Sequence, residues 1–300
     1  MSMSTNALTE MLSGQILTQQ NNISNLEGQL SSGLALNKPS DNPVAVTQVL
    51  SLSNQASQIS SWQANINTAQ SWLGTASGTL NNVISAMQSA RTLLLQAANQ
   101  GTQDTTSYKA IGQQLMSISN NMLALANTQY EGRSLFAGTS ASQQAYDSSG
   151  NYLGNSDTPT VIVGPGAGSG QAIDLSVTGP AVFGSGSSNI FTTLSNVASA
   201  LSSGTPTSSQ ISGALTALDN NLAIGEQASA TIGNSALEVS NMASALTQQL
   251  TSIQNSQAQL QNINIPLATT QLNNEITNYQ AALWAASRAI PETLQQFIAP

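Results

Sequence analysis

The chain has 300 residues, 40% of them hydrophobic and only 6% charged, with neither Cys nor His; about 44% are Ser, Thr, Asn or Gln. That composition excludes disulfide scaffolds, thiol nucleophiles, Cys/His zinc sites and histidine acid–base dyads. Five basic residues against thirteen acidic ones give a net charge of −8, and five scattered cations cannot form the stripe that nucleic acid or an anionic membrane surface requires.

No stretch approaches the ~20 contiguous apolar residues of a spanning helix. The first basic residue is Lys38, and the apolar residues before it are spaced, so no secretory h-region is expected. The expectation is a chain that stays in the cytosol or leaves by a route that removes no signal peptide.

At the N-terminus Leu12, Ile16, Gln19, Ile23, Leu26 and Leu30 recur at steps of three and four. This spacing predicts a helix with one apolar seam. Its flanks are Ser, Asn and Gln, and Glu10 and Glu27 are its charged residues up to position 37. A seam this thin is expected to be weakly ordered alone and to fold on assembly. Residues 30–46 read LSSGLALNKPSDNPVAV, where Ser40 or Asp41 is expected to cap a second helix carrying Pro43 in its first turn.

From Ile59 the apolar residues keep phase through Trp62, Ile66, Ala69, Leu73, Ala76, Leu80, Val83, Met87, Ala90, Leu94 and Ala97. A 3.5-residue repeat held over five heptads predicts a long helix with a coiled-coil seam. Trp72, beside Leu73, predicts a second buried face. After a stop near Asn99–Gly101 the pattern restarts at Tyr108, Ile111, Leu115, Ile118, Met122 and Leu125, which predicts an antiparallel hairpin.

Between about 137 and 188 the period changes. Gly, Ser and Pro accumulate, and Val161–Val163 and Ile173, Leu175, Val177 read as short strands. The run GPGAGSG at 164–170 lacks the Lys and Ser/Thr of a phosphate loop and is expected to be a turn. Helical spacing returns at Ile190, Leu194, Val197 and Leu201. A seven-residue ladder then runs through Ile211, Leu218, Gly225, Ile232, Val239, Leu246, Ile253, Leu260 and Leu267, with companions Leu215, Leu222, Ala236, Ala243 and Leu250. Pro266 marks a boundary. The last seam is Leu272, Ile276, Tyr279, Leu283, Ala286, Ile290 and Phe297, with Tyr279 and Trp284 expected as packing anchors.

The predicted fold is mainly α: long helical coiled-coil hairpins forming a rod, with a small β-rich insertion. Its expected segments are an assembly helix and loop (1–42), a helical hairpin (43–136), the insertion (137–188), returning helices (189–265) and a C-terminal assembly helix (266–300). The carboxylates are scattered, and nothing obvious activates a serine, so no catalytic site is expected. The sequon NIS at 22–24 falls inside the first seam and is read as chance.

Three blocks carry a family resemblance. An apolar heptad helix runs into LSSG, a short loop and Ser40-Asp41-Asn42-Pro43, and then a long coiled-coil helix. YEGRSLFAGT at 130–139 precedes YDSSGNYLGN at 146–155, and YQAALWAASRAI closes the chain from Tyr279 to Ile290. Together these resemble the flagellin superfamily of the bacterial flagellum over about 8–155 and 190–298. Pro43 resembles the pattern of its hook–filament junction branch, which typically reads S-D-D-P; Asn42 replaces the second Asp here. Departures are Ser235 where Arg is usual, INIPLATT at 263–270 where acidic residues are usual, and the tail IPETLQQFI, closer to flagellin tails.

The resemblance implies a structural protein with no catalysis, cofactor or metal, exported unfolded by the flagellar type III apparatus. Its implied partners are copies of itself, the first hook-associated junction protein, flagellin and a cytosolic export chaperone. The implied assembly surface comprises Leu12, Ile16, Ile23, Leu26, Leu30, Leu272, Ile276, Tyr279, Leu283, Ile290 and Phe297. A filament subunit, or a secreted adhesin whose insertion binds a ligand, remain the alternatives.

Overall fold

A computed structural model describes residues 5–99, 104–164 and 172–298, with side chains described between 10 and 288. The order is α1 (Thr5–Ser32), α2 (Pro43–Ala98), α3 (Thr105–Ala126), β1 (Gln129–Tyr130), β2 (Arg133–Ser134), β3 (Thr160–Ile162), β4 (Ala172–Asp174), α4 (Pro180–Phe183), α5 (Ile190–Ser202), α6 (Ser208–Gln261) and α7 (Ile265–Ile298). The fold is mainly α, with two small antiparallel sheets. Contacts divide the chain into a terminal unit (1–58 and 249–300) and a central unit (59–248). The two long helices α2 and α6 contribute to both.

The central unit holds the core. Ile59, Ile66, Ala69, Leu73, Ala76, Leu80, Val83, Met87, Ala90, Leu94 and Ala97 of α2 are each no more than 1% exposed. Only Trp62 of the expected seam is half-buried. Trp72 is buried on a second face, edge-on to Tyr130 at 5.7 Å. On α6 the ladder residues Ile211, Leu218, Ile232, Val239, Leu246 and Ile253 are buried, whereas Leu260 is half-buried.

Helices α2 and α6 run antiparallel. Gln63 Nε2 donates to Thr247 Oγ1 at 3.4 Å, and further along Arg91 Nε donates to Asp219 Oδ1 at 2.6 Å. Equal steps along the two helices separate these contacts, so the heptad register holds between them. Gly225 lies in this seam without being required by it: a Cβ there would make an ordinary van der Waals contact, 3.7 Å from Ile84 Cγ1. The ladder nevertheless stops before its expected end. Leu267 lies in the next helix and is 55% exposed, and the companion Ala236 is exposed.

Helix α3 packs against α5, and Gly112 is the point of closest approach. A Cβ there would lie 2.8 Å from the Ala198 carbonyl oxygen. Each helix has a side-chain cap. Asp104 accepts from Ser107 N at 2.7 Å, and Asn189 accepts from Thr192 N at 2.7 Å.

The insertion has its own aromatic centre. Phe183 meets Phe136, Tyr146 and Phe191 at ring-centroid distances of 5.6, 5.5 and 5.3 Å. Asn127, just past α3, clamps the chain there: its Nδ2 donates to Tyr146 O and its Oδ1 accepts from Tyr146 N, both at 2.9 Å. Ser176 Oγ donates to the Leu135 carbonyl across this core. β1 and β2 close through Glu131 and Gly132, both at positive φ. β3 and β4 pair antiparallel, Val161 opposite Ile173. Most of the run GPGAGSG lies between them, outside the described residues. Burial raises the Tyr146 hydroxyl above its ordinary pKa, with the neighbouring Tyr152 adding to the effect.

Two carboxylates tie the central unit to pH. Asp104 is held below the usual carboxylate range, first by the Ser107 backbone N–H; Asp147 is held below it, first by the Asn151 side chain. A depressed folded-state pKa contributes stability above the unfolded value that is lost as pH falls through the folded value. The thermal midpoint of the central unit should therefore drop on acidification below about pH 4. The double variant D104N/D147N should show a shallower drop in the same calorimetric series.

Candidate assembly interface

In the terminal unit α1 packs on α7. Their seams face each other, yet neither is sealed. Leu12, Ile16, Gln19, Ile23, Leu26 and Leu30 are all half-buried, as are Leu272, Ile276, Tyr279 and Ala286. Leu283 is 41% exposed, and its neighbour Ala282 turns inward instead. Trp284, expected as an anchor, is 69% exposed. The side chains of Ile290 and Phe297 lie outside the described residues.

The contrast with the central unit is sharp. Among the described residues, the buried apolar side chains of the terminal unit are Ala45, Ile253 and Ala268, while the rest of the core belongs to the central unit. Conversely, Met11, Leu17, Leu34, Val44, Leu50, Ile265, Leu267, Leu283 and Trp284 are exposed large hydrophobics of the terminal unit. Among the described residues, the longer central unit exposes six such residues, Leu95, Met116, Leu153, Ile162, Ile224 and Leu237.

Two loops connect the terminal helices to α2 and α6. Helix α1 ends at Gly33, which has φ +72 and donates N–H to Gln29 O at 2.9 Å. The chain then pairs with the α6–α7 connection: Ala35 N donates to Gln261 O at 2.6 Å, and Ile263 N to Gly33 O at 3.1 Å. Within Ser40-Asp41-Asn42-Pro43 the roles differ from expectation. Asn42 caps α2, its Oδ1 accepting from Ala45 N at 3.1 Å. Asp41 faces the other way, its Oδ2 accepting from the backbone N–H of Asn37 at 3.0 Å and Lys38 at 2.8 Å. Asp41 thus closes the loop, and Ser40 is an exposed turn residue. The physical reason is position: Pro43 is the first helical residue, so the cap must be the one before it. Asn264 does the same for α7, accepting from Leu267 N at 3.2 Å.

Among the described residues no cluster of His, Cys, Asp or Glu could hold a metal ion, and no helix is long and apolar enough to cross a membrane.

Residues 3–141 match the model of the bacterial flagellin N-terminal helical region. Over those residues the chain is similar to flagellins. It is 28% identical to flagellar hook-associated protein 3 of Salmonella typhimurium over 191 residues, which are 63% of this chain and 59% of that protein. It is 30% identical to a flagellin of Clostridium tyrobutyricum over 126 residues, 42% of this chain and 32% of that one. The flagellin-like chain thus matches less than two thirds of the length of either relative. A solved structure from Vibrio parahaemolyticus, provisionally named a flagellar hook-associated protein, shares the fold with a TM-score of 0.68. It is 23% identical and covers 74% of this chain and 100% of its own.

Proposed function

We propose that this flagellin-like chain is a structural subunit of the bacterial flagellum that forms the layer between hook and filament on which flagellin polymerises. The observation that carries the reading is the inverted burial of the terminal unit. Its seam side chains are left half-covered on α1 and α7, whereas the seam of α2 from Ile66 to Ala97 in the central unit is fully buried. A helical pair with apolar seams and almost no charge gains packing from each further copy set beside it. The proposed interface is Leu12, Ile16, Ile23, Leu26 and Leu30 with Leu272, Ile276, Tyr279, Leu283, Ile290 and Phe297. The proposed partners are copies of the chain, the first hook-associated junction protein and flagellin, with a cytosolic chaperone holding the C-terminal segment before type III export. The protein works by packing and carries no catalytic step.

The likeness to a flagellin favours a second reading, the filament subunit itself. One experiment separates the two. Purified chain is added to isolated hooks that carry the first junction protein, and the ends are imaged by electron microscopy. A junction subunit adds a short layer, stops, and then supports growth when flagellin follows. A filament subunit keeps elongating unaided. Absence of any addition would refute both.

A further inference from the structure

Within the terminal unit, the loop after α1 and the start of α2 enclose a groove of about 200 Å³ lined by Leu36, Lys38, Pro39, Val46, Val49 and Leu50. Gln261, at the end of α6, closes one side. Leu50 is 58% exposed, and Lys38 forms no ion pair among the described residues. The groove thus combines five apolar side chains with the polar Asn37, Lys38 and Gln261.

The same unit carries an aromatic side chain with nowhere to go. Trp284 is 69% exposed on α7, and its ring has no aromatic or cationic neighbour among the described residues. Burying an indole among these apolar side chains beside a lysine satisfies both, because an ammonium is attracted to the electron-rich face of the ring. Trp is also the side chain that most often anchors an interface.

Trp284 cannot reach the groove of its own chain. The groove adjoins Gln261, and α7 leaves from Ile265 as an uninterrupted helix through Trp284. The nineteen helical steps from Ile265 to Trp284 place the indole about 28 Å along that helix at 1.5 Å per residue.

We infer that the groove lined by Lys38 and its apolar neighbours receives Trp284 of a second copy of this chain. The inference rests on the assembly reading above and names its contact. The two surfaces differ, so the contact is head-to-tail and does not close within a pair. It propagates as a ring or helix of subunits. One indole in one slot buries far less than the ~800 Å² per partner of a stable complex. The contact therefore acts only together with the α1–α7 seams, and the dilute chain stays monomeric.

The chain has no cysteine, so single cysteines report cleanly. Chains carrying N37C, beside Lys38 in the groove lining, are mixed with chains carrying S287C, one turn beyond Trp284 on α7, added to isolated hooks and treated with a short bismaleimide. The expected product is a covalent pair containing one chain of each kind, formed in the hook-bound fraction and lost in dilute solution. T139C, in the central unit, replaces N37C as the control and gives no such pair. W284A should raise the concentration for half-maximal addition about tenfold or more, and K38R should behave as the parent while K38E weakens addition. Addition to hooks with cross-links confined to like pairs, or equal for the control, overturns the contact and leaves the assembly reading standing. No addition by the parent chain overturns both.

Discussion

Deleting residues 1–32, or residues 265–300, abolishes addition to hook ends while the central unit melts where it did before. The effect is a complete loss because each deletion removes one of two mutually covering seams. Without α1, the half-buried Leu272, Ile276 and Tyr279 face water along one whole side. Without α7, Leu12, Ile16, Ile23, Leu26 and Leu30 do the same. Either remnant is a single amphipathic helix, which is marginal alone. The central unit does not notice, since its buried residues come from α2, α3, α5, α6 and the insertion. Circular dichroism with temperature reads the second half of the claim, and electron microscopy of hook ends reads the first. A truncated chain that still adds to hooks would show that the terminal helices are not the assembly surface.

Phe183→Ala produces the opposite pattern. Phe183 is fully buried and sits against three rings, Phe136, Tyr146 and Phe191. Its removal leaves a cavity in the middle of the insertion and takes the support from Phe191, at the start of α5. Phe→Ala in a core of this kind costs about 3–5 kcal/mol, a large share of the 5–15 kcal/mol typical of a domain. The thermal midpoint of the central unit should fall on the order of 10 °C. At low temperature, where the variant is still folded, addition to hooks should persist, because Phe183 belongs to the central unit and the proposed assembly surface to the terminal unit. A variant with an unchanged midpoint would contradict the aromatic cluster as the centre of the insertion.

Much of the helical framework was legible because the heptad pattern survives the low charge. The seam from Ile59 to Ala97 names the buried face of α2 almost residue for residue. Trp72 gave away the second face, since a tryptophan beside a seam residue has to be covered by something. Legibility failed where tertiary geometry decided between neighbours. Asn42 caps α2 in place of Ser40 or Asp41, because the helix starts on the proline itself. Leu267 continued the sequence ladder but belongs to a new helix, since a seven-residue spacing carries on through a proline even where the helix does not. The aromatic centre of the insertion was invisible for a different reason. Phe136, Tyr146, Phe183 and Phe191 are far apart in sequence and share no period, so only the fold brings them together. The groove lined by Lys38 likewise combines the loop after α1, the start of α2 and the end of α6.

The candidate interface was legible as a pattern and incomplete as a surface. Spacing identified the two seams, but spacing cannot say how much of a seam its own chain covers. The coverage is what distinguishes the two units. It is complete on the α2 seam between Ile66 and Ala97 and half-finished on α1 and α7, although the residue types are similar.

Hydrogen exchange on the dilute chain and on the same chain bound to hooks tests the central claim most directly. In dilute solution, amides of α1 and α7 should exchange orders of magnitude faster than those of α2 between Ile66 and Leu94. On the hook they should become as slow as the core. Equal, strong protection of α1 and α7 in the dilute monomer, unchanged on the hook, would contradict the account.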